Sequence, residues 1–239
     1  MRYIPRMSDT LFLVVVGVLV VAFPIALVIG LLIRLRNRIA DVAWQRYLVD
    51  LGFKTTSSAN RSATEVSTSP GVVRKSWELD RRDTRVLRYL KLVRSKGPRS
   101  NTSVNRITEE IYWPRERERA TGTEIILGFG QTSADGKGMR NLLEGFAQRM
   151  YGDRFRLFPA TRELQDSGVT VVLVDGADEA GWPSALPSGA TDLVSQGRDA
   201  GFDFVRFTDQ ATCVGLDRGR CEMEPKSRWD LIRRLAEAR

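Results

Sequence analysis

Histidine is absent from all 239 residues, and there are only two cysteines, Cys213 and Cys221. The first absence excludes every mechanism that needs an imidazole base or an imidazole metal ligand. Two thiols cannot build a four-cysteine zinc site. No serine sits in a G-x-S-x-G elbow, so an activated-serine hydrolase is excluded as well. If the domain lay outside the cytoplasm, Cys213 and Cys221 would close a disulfide loop, with Gly215 and Gly219 allowing the turn. In the cytoplasm they would remain two reduced thiols.

What is present begins with one long apolar run. After a tail at residues 1–10 carrying Arg2 and Arg6, the stretch 11–33 has no charged residue. As a helix, its 23 residues would be roughly 34 Å long, enough to cross a bilayer core. The sequence "RLRNR" follows directly, where a cleavable leader would carry small residues, so a retained single-pass transmembrane helix, a signal anchor, is expected. The segment 34–54 repeats its apolar residues at helical spacing and predicts a juxtamembrane amphipathic helix ended at Gly52.

Charge is unevenly placed. Residues 1–120 hold 22 Lys and Arg against 11 Asp and Glu, whereas residues 121–239 hold 15 against 18. The arginines after the apolar run outnumber the two before it, which predicts a cytoplasmic C-terminal domain. Arg34, Arg36, Arg38, Trp44 and Arg46 are candidate membrane-surface contacts, the arginines meeting anionic lipid headgroups and the tryptophan the interface.

Residues 55–71 are rich in Ser and Thr and poor in large apolar side chains, which predicts a linker. The remainder, 72–239, reads in two parts. In 72–120 a basic helix is expected over 76–98, with a second, shorter helix over 103–112. Basic charge alone reads no bases, so nucleic acid is not an expected partner. In 121–239 apolar runs alternate with helical patterns, and "VTVVLV" suits a strand covered on both faces. These features predict a small, mainly parallel α/β sandwich.

Two strand ends carry candidate chemistry. Gly130, Gly136, Lys137 and Gly138 lie between a predicted strand and a predicted helix, where backbone amides would cradle a phosphate. Asp175 and Asp178 follow the next long strand, where acidic residues would hold a magnesium ion. The pattern departs from a phosphate-binding loop at two defining positions. Gln131 stands where the first glycine belongs, and Gly138 where a hydroxyl belongs. The resulting expectation is a membrane-anchored binding or scaffolding protein with an unidentified protein partner and no cofactor. A tethered nucleotide binder with magnesium and an extracytoplasmic disulfide domain are the alternatives.

Overall fold

The computed structural model describes residues 9–56, 72–81, 84–96, 103–114, 122–129, 154–217 and 221–238. The chain opens with one helix, α1 (Asp9–Asp50), 42 residues long with Pro24 inside it. At 1.5 Å per residue this is a rod of about 63 Å. Its end is built by Gly52, at φ 98°. Phe53 N donates to Leu48 O at 3.2 Å and Gly52 N to Val49 O at 2.9 Å, the paired bonds of a glycine-terminated helix.

Among the described residues no helix is long and apolar enough to cross a membrane. The expected transmembrane helix and signal anchor are corrected accordingly.

After α1 come β1 (Lys54–Thr55), β2 (Val72–Arg81), β3 (Thr84–Lys96), β4 (Ser103–Pro114), β5 (Glu124–Phe129) and β6 (Arg156–Phe158). Then follow α2 (Arg162–Asp166), β7 (Val169–Asp175), a 3-10 turn at Trp182–Ala185 and α3 (Ala190–Val194). The chain finishes with β8 (Phe202–Phe207), β9 (Ala211–Leu216) and α4 (Pro225–Glu237). The nine strands form one sheet in the order β1-β2-β3-β4-β9-β8-β5-β7-β6. Every pairing is antiparallel.

This overturns the parallel α/β sandwich and the helical basic part. The expected helix over 76–98 is instead the hairpin β2–β3, and the expected helix over 103–112 is β4. The physical reason is that β3 is buried on both faces. Val86 and Arg88 point to one side and Tyr89 and Lys91 to the other, and all four are nearly inaccessible. A strand covered on both sides loses the alternation that marks strands, and its scattered apolar residues then mimic a helical stripe.

One face of the sheet carries the main core. Ile111, Val214, Val205, Leu127 and Val172 stand in register across β4, β9, β8, β5 and β7 on that face. They are covered by Trp44 and Leu48 of α1 and by Trp229, Ile232 and Leu235 of α4. The opposite face has a smaller cluster of Ile126, Phe155 and Leu173.

Gly176, at φ 85°, ends β7 where a Cβ would lie 2.3 Å from the Gly122 carbonyl oxygen. Gly176→Ala should therefore cost about 2–4 kcal/mol, combining left-handed backbone strain with a backbone clash that no rotamer relieves. Urea unfolding would measure it, and a loss under about 1 kcal/mol would mean the β5–β7 end can open without strain.

Candidate functional site

The most developed polar arrangement lies where the C-terminal end of α1 meets the sheet. Glu109, 1% exposed, is its centre. Its Oε1 accepts from Arg88 Nε at 2.6 Å and from Trp44 Nε1 at 3.0 Å. Arg88 Nη2 donates to Gln45 Oε1 at 2.6 Å, and the guanidinium lies 4.2 Å from the Trp77 ring centroid. A buried charge pair is tolerated only when further hydrogen bonds and stacking satisfy it, and this one has both. α1, β3 and β4 are thus joined through one carboxylate, and β2 stacks on Arg88 through Trp77.

A small cavity adjoins this cluster, lined among others by Asp41, Trp44, Glu109, Cys221 and Arg228. Arg228 is 4% exposed and stacks over the Trp44 ring at 4.8 Å. Its Nη2 donates to Gly201 O at 3.4 Å, and its Nε has no hydrogen-bond acceptor. Burial lowers the pKa of this guanidinium, opposed by Cys221, Glu109, Asp41 and Asp217.

The other sheet face holds a second buried set. Lys91 Nζ lies 2.5 Å from Glu110 Oε2, with Lys91 completely buried. Arg206 pairs with Glu124 further along the same face. Burial raises Glu124 in spite of Arg206. Tyr89, opposite Glu110 in register, is likewise raised by burial. Cys213 faces this set from β9, in register with Tyr112 and Arg206. Burial, with Glu110 adding to it, pushes its thiol up to about 12, so it holds almost no thiolate at neutral pH.

The sequence signal for these pairs is readable in retrospect. Glu109 and Glu110 are adjacent, so on a strand they point to opposite faces. Arg88 and Lys91 are three apart and do the same. Each glutamate therefore meets the cation on its own face.

The sequence-derived candidates fare differently. Gly130, Gly136, Lys137 and Gly138 lie outside the described residues. Asp175 closes β7, in register with Glu124 and 3.7 Å from Arg154. Asp178 is exposed in the following turn, where its Oδ1 accepts from Gly181 N at 2.7 Å. Among the described residues no three acidic, cysteine or histidine groups could share a metal ion.

Arg34, Arg36, Arg38 and Arg46 are exposed on α1, with Arg36 Nη2 reaching Glu222 at 3.6 Å. Trp44, 2% exposed, faces the core and stacks on Tyr47 at 6.4 Å. It is a docking anchor of α1 and not an interfacial residue. Cys213 and Cys221 are both free. Cys213 faces Tyr112 and Arg206, whereas Cys221 shares its cavity with Glu109 on the opposite side of the sheet. The alternative of a Cys213–Cys221 disulfide is not formed in this structure.

No protein-family model matches the chain. No curated protein matches it in sequence. Among solved structures it is similar to the mycobacterial trehalose monomycolate transport factor A, TtfA. The identity is 9% and the TM-score 0.47, over 82% of this chain and 89% of that one. At that distance neither fold nor activity carries over.

Proposed function

We propose that this is a membrane-associated binding or scaffolding protein, in which α1 holds the sheet domain against lipid so that a protein partner is recruited there. One observation carries this reading. Of the exposed large apolar side chains among the described residues, all but Val72 lie on α1. Phe23 is 70% exposed, Leu32 60% and Ile39 62%. A run of apolar side chains this long is costly in water and marks a surface that meets lipid or protein.

The arginines favour lipid as the occupant. Arg34, Arg36, Arg38 and Arg46 follow the apolar stretch on the same helix, placed to meet anionic headgroups on the cytoplasmic side. A scaffolding role also fits the use made of the buried charges. Arg88–Glu109 and Lys91–Glu110 are paired within the fold and hold α1 and the strands together.

The full chain should float with vesicles containing anionic lipid, with binding that falls as salt rises. Each basic residue near such a surface contributes about 1 kcal/mol. Replacing Arg34, Arg36, Arg38 and Arg46 by Gln should therefore weaken binding by on the order of 10²–10³-fold. Failure of the full chain to float with any vesicle would reject the membrane reading. Equal binding to neutral and anionic vesicles would reject the role of the arginines.

A further inference from the structure

The large apolar side chains exposed on α1 follow a spacing. Beyond Arg34 they are Leu35, Ile39, Val42 and Val49, whereas Trp44 and Leu48 of the same stretch are buried in the core. With three earlier residues they form one line, in which Ile25, Leu32 and Ile39 recur every seven positions and Val28, Leu35, Val42 and Val49 do so three positions later. Each of the seven is at least 49% exposed. At 3.6 residues per turn, Trp44 and Leu48 point away from this line. The sheet domain therefore docks on one side of α1 and leaves the line on the other.

Two interleaved sets with a seven-residue repeat are what a second helix selects, because each side chain must enter a hole between four residues of its neighbour. Lipid imposes no such period. Before Arg34 the exposed apolar residues also include Phe23, Leu27, Ile29, Leu31 and Ile33, which lie off the line, but within 34–50 every exposed large apolar residue lies on it. From Ile25 to Val49 the line runs about 36 Å. Covering its seven side chains on each of two copies would remove about 1,200 Å² from water, which reaches the range of stable interfaces.

We propose that α1 pairs along this line with α1 of a second copy of the chain, the two helices parallel and in register. The parallel sense rests on the membrane reading above, which puts both N-terminal ends in one bilayer. The pairing itself rests on the seven-residue spacing. Arg46 takes the next position of the first set, seven residues after Ile39. A single polar residue in such a seam fixes the register and the number of helices at a cost in stability.

The test uses the full chain with Cys213→Ser and Cys221→Ser, mixed with vesicles containing anionic lipid, to which Leu35→Cys, Val42→Cys, Val49→Cys or Arg34→Cys is added one at a time. Copper phenanthroline oxidises the samples, and linked dimers are read on non-reducing gels. The three positions on the line should link about tenfold faster than Arg34→Cys, which is exposed but off the line, because a disulfide forms only between closely apposed residues. Linking at both Leu35→Cys and Val49→Cys requires parallel helices. Adding Ile39→Glu should slow linking at Val42→Cys about tenfold by placing a charge in the seam. Ile39 is exposed, so circular dichroism should show the fold unchanged. Equal rates at all four positions, or no linking at the three, would overturn the pairing. Linking at only one of the three would overturn the parallel arrangement. Flotation of the same samples keeps the two readings apart. A chain that floats but shows no preference for the line loses the pairing alone, and one that links along the line without floating loses the membrane reading alone.

Discussion

Glu109→Ala is expected to destabilise the protein by about 3–5 kcal/mol, because it leaves Arg88 buried without its counter-charge. Arg88 is 2% exposed, so water cannot replace the lost carboxylate. Trp44 Nε1 would lose the same acceptor, loosening α1 from the sheet. The loss is comparable with much of the stability of an ordinary domain. Urea unfolding followed by tryptophan fluorescence would measure it. The diagnostic control is the double substitution Arg88→Met with Glu109→Leu, which removes both charges. It should recover most of the loss, since exchanging a buried pair for apolar side chains of similar volume is often close to neutral. A loss below about 1 kcal/mol for Glu109→Ala would mean that Arg88 finds solvent, contrary to its burial.

Trp229→Ala should cost about 3–5 kcal/mol for a different reason, the opening of a large void. Trp229 is 1% exposed on α4 and meets Phe53 edge-on at 5.6 Å and Trp113 at 5.5 Å. These contacts join α4, the segment after α1 and β4, so the cavity would lie where three elements meet. Aromatic pairs of this geometry add about 0.5–1.5 kcal/mol beyond area burial. Trp229→Phe should keep more than half of the lost stability by retaining a ring in the same position. Equal losses for the two variants would show that ring packing is not what holds this corner.

Some of the architecture was legible before any coordinates. The apolar run "VTVVLV" lies in the strand β7, because a short, continuous run of β-branched residues suits a strand covered on both faces. Gly52 ends α1 because the helix terminus needs a left-handed residue there. By contrast, β3 and β4 read as helices because their buried Arg88, Lys91, Glu109 and Glu110 look like solvated charge when no partner is visible.

The sequence alone determined the chemistry that is excluded, since no fold can restore a missing imidazole, and it marked "VTVVLV" as a strand. It could not decide which strands pair, because a run covered on both faces fits a parallel or an antiparallel neighbour equally well. Only the tertiary structure decided that the sheet is antiparallel and that Trp44 points into the core. The same holds for the burial of four charges in matched pairs across two faces. Each depends on residues tens of positions apart meeting in space, and a linear pattern carries no record of that meeting.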